Sequence, residues 1–504
     1  MSSTRPPAPA WRHRLYQAFR VVSALVLLSA AVVLTRWGAA PAAPTPDVGG
    51  LTLDAPSTDV LLTCPAAPAN TLEAVNLGAT TARTTVTPLG DSQVNLDGSA
   101  LAVGAPTSTG TARGGVLTVP AAHRTGAGAL GLVTTSTPDG DLRGLTAAAC
   151  APPSTVSWIV GGSGAVGSSA ELRLTNPGTT SVTATVHLYG SVGEISLPAG
   201  GQVIVPPGRT MGVLLEAAGN DPRLALSVEA VGGTVVPALV TESLDGETAA
   251  GTEVLTGGAA PDTELTVPGV VLVEAAEQGE RAPDAAAGAP KSSDAPAVRL
   301  ANPGSTPATA AISVIGPDGT EVLQGADSVT VDPGAVFDVS LSGVPAGAYG
   351  VHVSSDAPVA AGVRLVRSAG EYPARSGALL HDVAWSQAVT PDVGEAGSIA
   401  LPRAEGLTSQ LVLTNAGASA TTVTLASADG SWSQEVEVPA GSTVTPEVPG
   451  QIAALTISGP AAQQVTAAAV VTARVGGDAA GTLIASVPAV ADSTALAKSR
   501  LLLR

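Results

Sequence analysis

The chain is long, acidic and poor in aromatic residues. It has 504 residues, of which 45% are hydrophobic, 13% charged and 2% aromatic, and its formal net charge is −18. At roughly 100–200 residues per domain, this length predicts three or four domains. The excess of acid argues against binding to a nucleic-acid backbone, which needs clustered Lys and Arg. With five His and two Cys, dense metal sites and zinc modules are not expected.

The N-terminal segment is basic and then apolar. The first 36 residues contain five Arg and no acid, and residues 21–35 form an uncharged run. A basic segment followed by an apolar one directs a chain to a membrane. Residues 16–37 are long enough to form a transmembrane signal-anchor if the flanking Arg side chains reach the interfaces. Cleavage near Ala40-Pro41-Ala42 is the alternative, because this stretch has the small-residue pattern of a signal-peptide site.

The same charge asymmetry predicts a topology. Positive charge on the cytoplasmic side makes residues 1–15 a cytoplasmic basic tail and places the acidic remainder outside the cell membrane. Residues 38–50 are rich in Pro and Ala and are predicted to form a semi-extended stalk. We therefore expect a single-pass membrane protein with an exported C-terminal region, or a secreted protein if the N-terminal segment is cleaved.

The two cysteines are predicted to form one disulfide. An exported chain folds in an oxidising environment, and Cys64 and Cys150 are a lone pair. Closing a loop of about 86 residues would stabilise the protein by roughly 4 kcal/mol in the chain-entropy model. Two buried free thiols are the alternative.

A seven-residue signature occurs four times, at intervals that match the size of one β-sandwich domain. The copies lie at 72–78, 172–178, 298–304 and 411–417, and two of them read in full Leu/Val-x-Leu-x-Asn-Pro-Gly. Later copies lead into runs in which apolar and polar residues alternate, followed by turn glycines. Alternation with period two indicates half-buried strands. Asn, Pro and Gly together favour a tight turn at the strand end, so we interpret the asparagines as turn residues.

The repeats predict an all-β fold of tandem immunoglobulin-like or fibronectin-like β-sandwiches after a single N-terminal transmembrane helix. The predicted sandwiches are residues 51–152, 153–262, 263–390 with a flexible insertion at 274–297, and 391–495, followed by a tail at 496–504.

No group of residues in the sequence has the pattern of a catalytic site. His187 and His352 lie on the polar phase of their strands and should face solvent. His381 and Asp382 adjoin a domain junction, and His123 lies in a polar loop, without an activated Ser or Cys beside them. We expect a non-enzymatic protein without catalytic, cofactor-binding or metal-binding residues.

One aromatic residue is a candidate ligand contact. Trp432 follows Asp429-Gly430-Ser431 at a predicted hairpin tip, where its ring could be exposed to a sugar. Packing inside the domain is the simpler interpretation.

The sequence resembles an actinobacterial exported or membrane-anchored protein family of unknown function. The resemblance rests on the repeated signature, the basic N-terminus with one apolar segment, and the run from Cys150 to Trp158-Ile159-Val160-Gly161-Gly162. Members of that family look like envelope proteins, so the resemblance implies a location and no catalytic residues.

Three hypotheses for function follow. The first is a membrane-anchored extracytoplasmic scaffold or interaction array that holds another envelope protein, since titratable groups do not converge. The second is an array of glycan-binding modules that recognises cell-wall or surface polysaccharide, supported by the fold and by Trp432. The third, an exported hydrolase, has little support in the sequence.

Overall fold

The computed structural model shows an all-β protein, as predicted. It describes residues 22–23, 25–26, 59–121, 128–274, 295–371, 379–389, 397–459, 464–477 and 480–490. All strands belong to one compact unit, residues 56–498. Within the described residues, no helix is both long and apolar enough to cross a membrane.

Several predicted segments lie outside the described residues. They are the basic tail 1–15, all but four residues of the span 16–37, the stalk 38–50, most of the insertion 274–297, and the tail 496–504.

The strands fall into four consecutive groups. Group 1 contains β1 Val60–Ala66, β2 Thr81–Pro88, β3 Asn95–Leu96, β4 Ser99–Ala100, β5 Thr107–Thr109, β6 Arg113–Val119, β7 Ala129–Thr137 and β8 Gly144–Ala149. Group 2 contains β9 Val156–Val160, β10 Ser168–Thr175, β11 Val182–Gly190, β12 Gly193–Ile195, β13 Gln202–Val205, β14 Thr210–Leu214, β15 Ala225–Val231, β16 Val236–Asp245 and β17 Thr248–Thr256, with 3₁₀ turns at Pro198–Gly201 and Leu215–Ala218. Group 3 contains β18 Asp262–Leu272, β19 Ala297–Ala301, β20 Ala308–Gly316, β21 Gly319–Val322, β22 Val329–Val331, β23 Val336–Ser340, β24 Gly347–Glu371 and β25 Leu379–Gln387. Group 4 contains β26 Ser398–Ala400, β27 Leu407–Asn415, β28 Thr421–Ser427, β29 Ser433–Val438, β30 Ser442–Val444, β31 Ala454–Ser458, β32 Val465–Val475 and β33 Gly481–Pro488.

The groups repeat one antiparallel arrangement. Group 1 has sheets ordered β1-β6-β3-β4 and β5-β2-β7-β8, and group 2 has the corresponding orders β9-β15-β11-β12 and β14-β10-β16-β17. Group 4 has β26-β31-β28-β29 and β30-β27-β32-β33. In each group, side chains from both sheets form a common hydrophobic core.

Alternating burial explains why these segments form strands. In β11, for example, Val182, Ala184, Val186 and Leu188 are buried while Thr183 is exposed. Side chains two residues apart lie on the same face of a strand, so this spacing gives each sheet one apolar face for the core.

Group 3 differs because one strand belongs to both of its sheets. The first part of β24 pairs with β18 and β20, and its second part pairs with β19 and β25. A single backbone contact between Ala369 and Gly481 then joins β24 to β33 of group 4. Groups 3 and 4 are thus connected through one extended sheet.

The predicted disulfide is confirmed. Cys64 on β1 and Cys150 directly after β8 are bonded, and no free cysteine remains in the chain. Both side chains are buried in the core of group 1. The bond therefore joins the first strand of the group to the end of its last strand.

The first copy of the signature does not form a strand. Residues 72–78 lie in the irregular connection between β1 and β2, and Asn76 is exposed. In the other three copies the signature ends β10, β19 and β27. By position in its sheet, the counterpart of these strands in group 1 is β2, whose end lacks the Asn-Pro-Gly turn.

Candidate functional site: a junction of four strands

The last strand of every group meets the others in one place. β8 contacts β17, β17 contacts β25, β25 contacts β33, and β33 contacts β8. The four groups therefore contact one another in a closed cycle, in which group 1 also contacts group 4. We call the place where these strands meet the junction.

Asp382 on β25 connects three of the groups. Its carboxylate oxygen Oδ2 accepts hydrogen bonds from the backbone N–H of Leu145 on β8 at 3.1 Å and of Ile484 on β33 at 2.8 Å. The residue is fully buried. Burial raises the pKa of Asp382 to about 7, although its hydrogen bonds and the charge of Arg143 lower it.

Two further charged residues are buried at the junction. Arg143, just before β8, is 0% exposed, and burial lowers its pKa while the charge of Asp382 raises it. Glu253 on β17 is also buried, and burial raises its pKa well above the ordinary value. Its Oε1 accepts a hydrogen bond from the N–H of Val254 at 2.9 Å. Groups 1, 2 and 3 each contribute one of these three buried charged residues.

A cavity of about 860 Å³ opens beside the junction, and all four groups line it. Its charged lining includes Arg143, Asp141, Glu247, Glu405 and Arg474. The volume of the cavity lies in the range of small-molecule sites, and its lining has charges of both signs. The described residues that line the cavity include no His or Cys, which acyl-transfer sites commonly use as base or nucleophile.

Signature residues form the seams between consecutive groups. Arg173, the residue between the two Leu of the signature in group 2, donates to the backbone carbonyls of Ala66 and Ala67 in group 1. Arg299 occupies the same position in group 3 and donates to the carbonyls of Gly162 and Leu224 in group 2.

In group 4 the corresponding residue is Val412, which packs in the core of group 3. The middle position of the signature thus contacts the preceding group in all three copies.

A carboxylate strengthens the seam between groups 1 and 2. Glu242 on β16 is fully buried and accepts hydrogen bonds from the backbone N–H groups of Ala69, Asn70 and Thr71, at 2.7–3.1 Å. These residues belong to the connection after β1. Because the N–H groups converge on one carboxylate, they hold this connection against group 2.

Three of the five histidines lie within the described residues, two of them at strand surfaces and one at the junction. His187 pairs with Glu194 at 2.9 Å, and His352 pairs with Glu264 at 2.9 Å, with both rings partly exposed. His381 is buried, and its Nδ1 lies 3.2 Å from the hydroxyl of Ser368. His123 lies outside the described residues. Within the part of the chain that the structure describes, no group of three or more His, Cys, Asp or Glu could hold a metal ion.

Trp432 is half-buried and packs against the core of group 4. Its hairpin turn is held by Asp429, which accepts hydrogen bonds from the hydroxyls of Ser427 and Ser431. These hydrogen bonds lower the pKa of Asp429 to about 2. Ligand contact by Trp432 stays a prediction.

Sequence reasoning noted the position of Asp382 but missed the roles of Arg143 and Glu253. The available signal was a charged residue inside an otherwise apolar terminal strand, as in the run of Asp382, Val383 and Ala384. Period-two alternation assigns such a residue to a solvated face, and only the neighbouring group makes that face buried.

Comparison with known protein families gives a match that covers residues of the junction and of the signatures. A family of unknown function, DUF5719, matches residues 103–449. The chain belongs to this family. The matched DUF5719 region includes Arg143, Glu253 and Asp382, and all three signature asparagines that end strands. No curated protein matches the chain.

Proposed function

We propose that this protein is a non-enzymatic, membrane-anchored scaffold of the cell envelope, with four immunoglobulin-like β-sandwiches outside the membrane. The observation that carries the proposal is the junction, where buried charges from three groups and a strand from the fourth meet. Contacts of this kind favour one rigid body over four independently moving modules. A rigid body with several exposed faces suits a protein that holds a partner in a fixed position.

Other features support the location. A disulfide is typical of proteins that fold outside the cytoplasm, and Cys64–Cys150 is such a bond. The basic and apolar N-terminal sequence supports an anchor with a cytoplasmic N-terminus. The actinobacterial origin rests on the sequence resemblance alone. Alkaline phosphatase fused after residue 504 should be active, because this reporter folds only after export. An inactive fusion would contradict the topology.

The partner can be identified by crosslinking in the cell. A tagged full-length chain is crosslinked in its own envelope, and the captured molecules are identified. Capture of one defined envelope protein is the expected result. Capture of polysaccharide fragments alone would contradict the scaffold proposal and favour the array of glycan-binding modules. A chain carrying Trp432→Ala is the control, because capture of a protein partner should not depend on this half-buried ring.

A further inference from the structure

A long groove follows the seam between groups 1 and 4. It starts at the junction cavity, continues into a cavity of about 200 Å³, and ends in one of about 160 Å³. Arg83 and Thr134 line both the first and second cavities, and Thr87 and Pro106 line both the second and third. The shared residues place the three cavities end to end along the seam, and we call this row of cavities the seam groove.

One face of a sheet forms the floor of the seam groove. Thr81, Arg83, Thr85 and Thr87 alternate along β2, and they lie on the face opposite to Val86, which is in the core of group 1. Their strand spacing gives a length of about 20 Å.

The neighbouring strand extends this polar floor. On β7, Ser136 pairs with Thr81, and Thr134 pairs with Arg83. Hydroxyl and guanidinium groups therefore follow β2 along the whole floor, whereas the β7 row is polar at Ser136 and Thr134 and continues as Leu132 and Leu130.

Group 4 forms the opposite wall. Arg403 lines the middle of the groove and donates from Nε to the backbone carbonyl of Ile452 at 2.9 Å, while its buried Nη2 has no hydrogen-bond partner within the described residues. The far end lies at the hairpin of Asp429 and Ser431. The wall thus adds a guanidinium group in the middle of the groove and an acceptor carboxylate at its far end.

From this geometry we propose that the seam groove binds a linear, hydroxyl-rich glycan. A linear glycan presents hydroxyl groups at regular intervals, and the floor presents donors and acceptors at regular intervals opposite them. A peptide strand fits less well, because β5 already pairs with β2 and the groove offers side chains instead of an open backbone edge. This proposal is independent of the scaffold function, which would stand if the groove bound nothing.

The charges along the groove favour neutral glycans over acidic ones. The middle stretch has the guanidinium groups of Arg83 and Arg403, and the far end has the carboxylate of Asp429. The junction end has four carboxylates beside two further guanidinium groups, those of Asp139, Asp141, Glu247 and Glu405 beside Arg143 and Arg474. Carboxylates at both ends disfavour a uniformly anionic polymer. We therefore expect neutral glycans to bind more tightly than uronic acid polymers.

Calorimetric titration of the purified full-length chain tests the proposal. The probes are cellohexaose, laminarihexaose and maltohexaose as neutral glycans, hexagalacturonate as an acidic one, and the matching disaccharides. Saturable binding of at least one neutral hexasaccharide is expected, at least about tenfold tighter than its disaccharide, because a long groove contacts several units. No saturable binding of any hexasaccharide would overturn the proposal, as would equal affinity for the disaccharide.

Two variants locate the site. Arg83→Gln removes an exposed guanidinium from the floor and should weaken binding at least about tenfold. Ser108→Trp fills the second cavity and should abolish binding. Arg113→Gln is the matched control, because Arg113 is equally exposed but lies on the other sheet of group 1. Binding that survives both groove variants, or that is lost equally in the control, would overturn the proposal. All three positions are exposed, so thermal unfolding should stay unchanged.

Discussion

Three buried asparagines make the same set of hydrogen bonds. In each, Oδ1 accepts from the N–H of the glycine two residues later, and Nδ2 donates to the carbonyl four residues later and to the carbonyl at the end of a strand in the opposite sheet. The residues are Asn176, Asn302 and Asn415, with strand partners Val205, Val331 and Val438. The asparagine thus shapes its turn, as the sequence indicates, and also ties together two sheets.

Substitution at one of these positions should be costly. Asn302→Asp keeps the shape and the acceptor but removes both Nδ2 hydrogen bonds in a site that is 1% exposed. We expect the free energy of unfolding to fall by about 2–3 kcal/mol, since two buried carbonyls lose their donor. Urea unfolding followed by circular dichroism measures the change. Asn76→Asp is the control, because exposed Asn76 lacks this arrangement, and an equal loss there would contradict the role of the buried amide.

The junction should make stability depend on pH. The pKa of Asp382 is about 7 in the folded protein, against roughly 4 in the unfolded chain. The folded state therefore holds a proton that the unfolded state releases, and the contribution of Asp382 to stability falls as pH rises from about 4 to about 7. Asp382→Asn should remove this contribution.

Thermal unfolding between pH 4 and pH 8 measures the effect. The melting temperature of Asp382→Asn, relative to the unsubstituted chain, should rise with pH up to about 7 and then level off. Burial, which raises the pKa of Glu253 more than the charge of Asp382 does, is present in both proteins, so most of the contribution of Glu253 cancels in the difference. A difference that stays flat across this range would contradict a raised pKa at Asp382.

At the scale of the element, each signature strand makes contacts both within its own group and to the preceding group. The two apolar residues on either side of the middle signature position face the core of their own group, as Leu172 and Leu174 do. The residue between them points the other way, to the preceding group. The signature therefore specifies both a β-strand within a group and a contact to the group before it.

Arg299 is the strongest example of such a contact. It is 1% exposed, pairs with Asp338 through Nε at 2.7 Å and Nη2 at 3.0 Å, and lies 4.6 Å from the ring of Trp385. Burial raises the pKa of Asp338, but Arg299 and Arg364 lower it by more, so the net pKa lies below its ordinary value.

Loss of this guanidinium should destabilise the seam between groups 2 and 3. Arg299→Met leaves Asp338 without its main partner, and we expect a loss of about 3–5 kcal/mol. Arg299→Lys should recover little of it, because an ammonium group cannot make the forked contact. Adding Asp338→Asn to Arg299→Met should restore part of the stability. Chemical unfolding of the unsubstituted chain, Arg299→Met, Asp338→Asn and the double variant gives the coupling energy, and strict additivity would contradict it.

The sequence predicts the parts of this fold better than their association. The all-β class follows from local alternation, and the Cys64–Cys150 bond follows from the number of cysteines. The continuous path of β24 and the seams do not follow, because Arg173 and Arg299 look like solvent-facing residues until a second group covers them. The prediction of a strand at residues 72–78 was wrong for a related reason. The local sequence does not show whether a strand of an opposite sheet supplies a hydrogen-bond partner for Asn76, and Asn76 is exposed.

At the scale of the whole molecule, the groups share cores instead of only touching. Leu132 and Leu145 of group 1 pack in the core of group 4, and Trp385 of group 3 packs in the core of group 2. A group that unfolds alone would expose apolar surface on its neighbours. Unfolding of one group should therefore destabilise the others.

We expect residues 56–498 to unfold in a single cooperative transition. Differential scanning calorimetry should give one peak, with calorimetric and van't Hoff enthalpies that agree. Leu145→Ala, at the seam between groups 1 and 4, should move this peak to lower temperature by removing about 2–5 kcal/mol. Val192→Ala, at a position 95% exposed, should leave it in place. Separate peaks, only one of which responds to Leu145→Ala, would contradict cooperative unfolding.

The closed cycle of contacts also means that group 1 cannot complete its packing until group 4 has been synthesised. A ribosome makes group 1 first, yet Leu132 and Leu145 find their partners in residues that emerge about 300 positions later. Until the last hairpin of β32 and β33 is complete, group 1 has an uncovered apolar face, and Asp382 lacks the N–H of Ile484. Group 1 of the nascent chain must therefore be kept from aggregating until group 4 has been synthesised.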